Sequence, residues 1–303
     1  ALRSEKIEQA VEELGYIPNR TAGALASGHS DTVAVLVPSL TDKASSRFMQ
    51  SLQQVLNKNE FQLLLGCHEY NQLKEAEILM TLLQGNPAAL VIFGSQLADK
   101  THQILEKTNI PTINVVGSPF SPAQITIETA FFEASHKLTE HLLEQGYKNI
   151  GFIGAHMDNR LQRQQLNGWH KAMLSHYQNS DLVITMPDAA SLQLGRYALN
   201  EILLRQPELD AVICSHEEIA LGIMFECQRR LLKIPENIAV ACLDGSDNCD
   251  QTHPTLTSIR IDYKKMGIET GKLLIGLLNN NHDESEESRI VQFNYQIELR
   301  QST

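Results

Sequence analysis

The sequence predicts an α/β protein made of two doubly wound parallel-sheet lobes, preceded by a short helical segment and a linker. Apolar runs without alternation recur through most of the chain, and each is followed by a stretch of helical periodicity. Nine such runs are more than one small lobe holds, and 303 residues at 42% hydrophobic content suit two domains of ordinary size.

Taken in order, Leu2, Ile7, Ala10, Val11 and Leu14 share one face of a helix over 2–14, with glutamates on the other. Gly15 is placed to stop it, and Pro18 keeps the chain from resuming it at once. Asn19 then reads as the N-cap of a very short helix, Arg20 to Ala26, which Gly28 ends. A helix this short is unstable alone in water, so the segment is expected to fold on binding. Strands are predicted at 32–38, 61–67, 89–94, 111–117, 149–154, 182–186, 211–215, 238–243 and 258–262. Helices are predicted at 45–59, 72–84, 100–108, 130–145, 162–176, 192–204, 218–231 and 264–278.

Composition narrows the function classes. A net charge of −11 argues against the body of the chain gripping nucleic acid by itself. Residues 1–30 are not basic either, since Arg3, Lys6 and Arg20 face Glu5, Glu8, Glu12 and Glu13. No apolar run approaches a membrane span and no signal-peptide pattern is present. Five cysteines without a C-x-x-C pair suggest a reducing, cytoplasmic setting in which thiols serve as small apolar residues, and no Cys/His spacing supports a metal or cofactor site. The nucleophile elbow, the H-E-x-x-H pair and the phosphate loop are all missing, so an enzyme is not expected.

In doubly wound sheets ligands sit at the carboxyl ends of the strands. The loop after the first strand offers Asp42, Lys43, Ser45 and Ser46 to a polyol or carboxylate, although Ser45 or Ser46 would equally serve as plain helix caps. After the strand at 149–154 come Arg160, Arg163 and Gln165. Arginine grips carboxylates with two hydrogen bonds, but surface arginines at a helix start are the competing reading. His216 and Glu217 follow the strand at 211–215 and could bond hydroxyls, with His216 adding pH dependence. Asp244 follows the strand at 238–243, and its carboxylate suits adjacent hydroxyls.

The string Tyr16-Ile17-Pro18-Asn19-Arg20, with Ala22, Leu25 and the Gly28 stop, resembles the hinge of LacI/GalR-family transcription regulators. The resemblance implies a homodimer whose paired hinges fold in the DNA minor groove. Leu25 would be the wedge between base steps, Ala22 would let the two helices approach, and Tyr16, Asn19 and Arg20 would hold phosphates. It implies a repressor that binds operator DNA and is controlled by a small sugar or sugar acid between periplasmic-binding-protein-like lobes. A sugar receptor of the same fold without DNA binding is the alternative. The family's helix-turn-helix is expected to be missing here, residues 1–14 corresponding to its last headpiece helix. By the same resemblance, residues 1–30 are headpiece remnant and hinge, 31–130 with 262–289 form the first lobe, and 131–261 with 290–303 form the second. The final strand, 290–299, is placed in that second lobe, after an acidic tract at 279–288 read as a solvated loop. Asp244-Gly245 matches the family's cleft aspartate, and Pro38-Ser39-Leu40-Thr41 resembles the gluconate-utilisation repressors. The chain departs from the pattern at Ser45, where that group has an aromatic, at Gln165, where relatives carry Arg or Lys, and at His216-Glu217, where Asn-Asp is usual.

Overall fold

The computed structural model describes residues 13–15, 30–94, 97–117, 123–155, 160–279 and 289–303. The hinge residues Tyr16, Asn19, Arg20, Ala22 and Leu25 and residues 280–288 of the acidic tract lie outside them.

The first half of the chain alternates β1 (Thr32–Val37), α1 (Lys43–Lys58), β2 (Gln62–Cys67), α2 (Gln72–Gln84), β3 (Ala89–Phe93), α3 (Asp99–Leu105), β4 (Thr112–Val115) and β5 (Ile125–Thr129). The second half continues with α4 (Phe131–Glu144), β6 (Ile150–Ala155), α5 (Arg160–Ser175), β7 (Val183–Met186), α6 (Leu192–Arg205), β8 (Ala211–Cys214), α7 (Glu217–Arg229), β9 (Ala239–Gly245), a 3-10 turn at Asp247–Gln251 and β10 (Thr257–Ile261). The chain ends with α8 (Tyr263–Asn279), β11 (Arg289–Phe293) and β12 (Tyr295–Glu298).

Two six-stranded sheets result, ordered β11-β5-β4-β3-β1-β2 and β12-β10-β9-β8-β6-β7. Every pairing is parallel except β10 with β12. The chain crosses between sheets at Ala130, at Asp262 and at Asn294, so three short connections join the lobes.

Each sheet is covered on both faces, which is why its strands read as unbroken apolar runs. In β1, Val33, Val35 and Val37 point into one core while Ala34 and Leu36 point into another. Phe48 and Leu52 of α1 and Met266 and Leu274 of α8 fill the first of these; Leu79 and Leu82 of α2 fill the second. The first core runs on into the second lobe through Phe152 and Trp169. On the opposite face of the second sheet, α6 and α7 touch closely enough to require two glycines. A Cβ at Gly195 would lie 2.1 Å from the Ile219 carbonyl oxygen, and one at Gly222 would lie 2.2 Å from that of Leu192.

Two expectations need correction. The strand expected at 290–299 is two strands broken at Asn294: β11 pairs with β5 in the first sheet, and β12 pairs with β10 in the second. Both are half-exposed edge strands, so neither shows a buried apolar run that would have marked the break. β5 was not expected at all, because its sequence Ile-Thr-Ile-Glu-Thr places the polar residues Thr126 and Thr129 in buried positions.

Candidate functional site

Each sheet reverses its winding direction once, between β1 and β3 in the first and between β6 and β8 in the second. Strand carboxyl ends diverge there and leave a crevice. The two crevices face each other across a cavity of about 230 Å³, walled by Pro38, Phe93 and Gly94 from one side and Ser215, Asp244 and Gly245 from the other.

From the first lobe, Pro38 ends β1 and the chain turns into α1 at Asp42, its N-cap. The helix begins two residues earlier than expected, so Ser45 and Ser46 lie in its first turn and do not cap it. Ser46 Oγ donates to the Asp42 carbonyl oxygen at 2.7 Å, while Ser45 Oγ is buried at the cavity wall with no hydrogen-bond partner among the described residues. The Asp42 carboxylate accepts from the hydroxyl of Tyr70, which stands just after β2. Lys43 and Arg47, one turn apart, also line the cavity.

From the second lobe, α5 turns Gln162 and Gln165 to the cavity, three residues apart on its buried face. Gln162 Oε1 and both polar atoms of the Gln165 side chain are buried without a partner among the described residues. Gln162 Nε2 lies 3.3 Å from His216 Nε2, and His216 Nδ1 lies 2.7 Å from Ser215 Oγ. At the start of α7, Glu217 is 1% exposed and sits just behind the wall. It accepts from the Ser246 N–H at 2.7 Å and from Asn248 Nδ2 at 3.1 Å. Asp244 closes the wall at the end of β9, bonded to the Tyr263 hydroxyl. Burial and the neighbouring Glu218 and Glu217 push its carboxyl up to about 7, with the Tyr263 bond opposing them. Burial also raises Tyr263.

The lobes meet through charge. Lys43 Nζ donates to Glu217 Oε1 at 2.6 Å and lies 2.9 Å from Glu218 Oε1. Burial pulls the Lys43 ammonium down, but the two carboxylates outweigh it and leave its pKa raised. Burial pushes Glu217 up, and Lys43, Ser246 and Asn248 together bring it below the usual carboxylate range. Beside this pair, Arg47 lies 3.6 Å from Asp247, which Arg260 of its own lobe holds at 2.5 Å.

Of the ten residues expected in the cleft, Asp42, Lys43, Ser45, Gln165, His216 and Asp244 line the cavity and Glu217 supports its wall. Ser46 is spent on its own helix. The two arginines fall elsewhere. Arg160, at the start of α5, lines a second cavity of about 200 Å³ beyond Leu161, and Arg163 is exposed. With Gln162 and Gln165 fixing the buried face of α5, a helical step of about 100° per residue turns the arginines away. The sequence reading missed Arg47, Tyr70, Gln162 and Tyr263. Gln162, three residues before Gln165, was the one with a readable signal.

The architecture and its central cavity define a two-lobed, ligand-binding module of the periplasmic-binding-protein type. A family model described as a periplasmic binding protein-like domain matches residues 139–303. The chain is 30% identical over 270 residues to the HTH-type transcriptional regulator GntR of Escherichia coli K12, covering 88% of this chain and 80% of that protein. The corresponding regulator of Pseudomonas aeruginosa is 29% identical over 277 residues, covering 91% and 80%. The crystal structure of a PurR family transcriptional regulator from Vibrio parahaemolyticus superposes with a TM-score of 0.82 at 39% identity, covering 89% of this chain and 98% of that one. The chain belongs to the LacI/GalR family of transcriptional regulators and carries the effector-binding domain of that family. Among the described residues no helix is long and apolar enough to cross a membrane.

Proposed function

We propose that the protein is a homodimeric, DNA-binding repressor of the cytoplasm whose operator affinity is controlled by a small sugar or sugar acid held between its lobes. The observation that carries this reading is the cavity itself. It lies at the switch points of both sheets and is walled by both lobes, and three of its side chains, Ser45, Gln162 and Gln165, bury polar atoms without partners among the described residues. Buried polar groups are ordinarily paired, so unpaired ones converging on a cavity mark where a ligand's hydroxyls belong. Functional units are proposed at 31–130 with 262–289 and at 131–261 with 290–303, the latter amended by the first-sheet strand β11. Ligand-driven change in the angle between them would alter the spacing of two hinge segments in which Tyr16, Asn19, Arg20, Ala22 and Leu25 meet DNA. A ligand moves such an equilibrium by its differential affinity for the two arrangements.

Dimerisation is supported by exposed apolar side chains on both lobes: Leu64 and Met80 on β2 and α2, and Leu192, Tyr197 and Phe225 on α6 and α7. Sedimentation velocity should give a particle of twice the chain mass. The test of function begins with melting curves in the presence of neutral sugars and sugar acids, since a ligand bound to the folded state raises its stability. Duplexes selected by the protein from a random pool should then bind at least about tenfold differently with and without the stabilising sugar, roughly 1.4 kcal/mol of coupling. Equal binding in both conditions defeats control of DNA binding by the sugar, and failure to select any duplex favours a receptor that does not act on DNA.

A further inference from the structure

We infer that the cleft is built for an uncharged polyhydroxylated ligand, a neutral sugar or sugar alcohol, and that its walls reject the matching sugar acid. The inference rests on the cleft being the effector site and narrows the ligand class from the two that site could take. Three sets of observations carry it.

The hydrogen-bonding groups left open on the walls are neutral. Ser45 Oγ, Gln162 Oε1 and the Gln165 amide are buried without partners among the described residues. Each is a donor or acceptor that a hydroxyl satisfies.

The cations on the walls differ in how firmly they are held. Lys43 lies between Glu217 and Glu218 at 2.6 and 2.9 Å, while Arg47 meets Asp247 only at 3.6 Å, a carboxylate that Arg260 already holds. A ligand carboxylate could take Lys43 only by leaving Glu217, 1% exposed, without its counter-ion, and uncompensated buried charge is costly. Arg160, which no hydrogen bond or ion pair holds among the described residues, opens to the neighbouring cavity and is not a wall of this one.

Apart from His216, which contacts Gln162 and Ser215, the remaining charged groups on the walls are carboxylic. Asp42, Glu218 and Asp244 all line the cavity. A hydroxyl both donates and accepts, so a polyol can give its protons to these carboxyl groups and take one from Gln165. A carboxylate only accepts, so it can give no proton to these groups, which Tyr70, Lys43 and Tyr263 already hold, and the ionised Asp42 and Glu218 would repel it.

Titration calorimetry and melting curves on the 303-residue chain with matched pairs decide this: sorbitol against gluconate, galactitol against galactonate, glucose against glucuronate. The expected result is binding of at least one uncharged member, with its acid partner at least tenfold weaker. The Gln165→Arg variant, which places a cation where the open amide stands, should narrow that ratio by tenfold or reverse it. Gln165→Lys serves the same purpose should the larger side chain disturb the fold, which circular dichroism reports. Ser45→Ala, which removes a hydroxyl without a partner among the described residues, should weaken the uncharged ligand several-fold and leave the ratio nearly unchanged. If an acid binds the wild-type chain as tightly as its uncharged partner or tighter, the inference is overturned and the effector site stands. If no pair binds at all, the reading of the cleft as a sugar site falls, and this inference with it.

Discussion

The two walls of the cleft hold their charges in different ways. The first lobe offers Lys43 and Arg47 on the opening turns of α1, and among the described residues the ion pairs of both run to the second lobe. The second lobe offers Glu217 and Asp247, each also tied within its own lobe, Glu217 to Ser246 and Asn248 and Asp247 to Arg260. Lys43 is 39% exposed where Glu217 is 1% exposed. The second wall is therefore held by contacts within its own lobe, whereas Lys43 and Arg47 find these ion-pair partners across the cleft. Under the proposed function, α1 would be the part whose partners change with the angle between the lobes, and a ligand's differential affinity would be felt there.

Glu217→Ala tests the second wall and should have the largest effect. It strips the partners from a buried N–H at Ser246 and from Asn248, as well as from Lys43, so a loss of about 2–4 kcal/mol in urea unfolding is expected. A loss below about 1 kcal/mol would mean that water replaces the carboxylate and that the wall is not held by these contacts. Lys43→Met should be milder in stability, about 1–2 kcal/mol, because Glu217 keeps two donors from its own lobe. Its distinctive signature is geometric. The ligand-free protein should become measurably more open in X-ray scattering, whereas Glu217→Gln, which keeps the hydrogen bonds, should open it less.

Asp244 sharpens the comparison through pH. Its folded-state carboxyl sits at about 7 against an ordinary value of 3.8, so the folded protein holds a proton that the unfolded chain has given up. Its contribution to stability is therefore fully present below about 4 and is lost as pH rises through about 7. Asp244→Asn carries no such proton. Relative to wild type it should gain stability steadily between pH 4 and 7, and the difference should level off above. A parallel pair of pH curves would place the burial of Asp244 in doubt.

How much of this was readable in advance follows from where each signal lives. β1, β3, β6, β8 and β9 are apolar on both faces, and their ends were legible as the places to look for a ligand, which is how Lys43 and Asp244 were found. β5 hides behind buried threonines, and the break at Asn294 is one residue in a polar edge. The arginines of α5 were misplaced because the phase of a helix depends on which residues its neighbours bury, and Gln162 and Gln165 look no more buried in sequence than Arg163. Tyr70 and Tyr263 reach the cleft from a left-handed turn after β2 and from the second crossover, far along the chain from the carboxylates they hold. Contacts set by topology leave no local pattern to read.

Arg47→Ala should have the smallest effect, and its smallness is informative. Arg47 meets Asp247 at 3.6 Å with both side chains substantially exposed, 32% and 59%, and Asp247 retains Arg260 at 2.5 Å. Pairs of this kind are worth about 0.2–1 kcal/mol, and a second cation on an already paired carboxylate falls at the low end. The variant should thus unfold within about 0.5 kcal/mol of wild type. Ionic strength separates the two contacts further. Salt screens exposed charges over about 10 Å at 0.1 M but reaches a buried carboxylate poorly, so added salt should erase the effect of Arg47→Ala while leaving most of that of Lys43→Met. Equal salt sensitivity of the two variants would mean that Lys43 is held no differently from a surface charge, and that the lobes are not latched through Glu217.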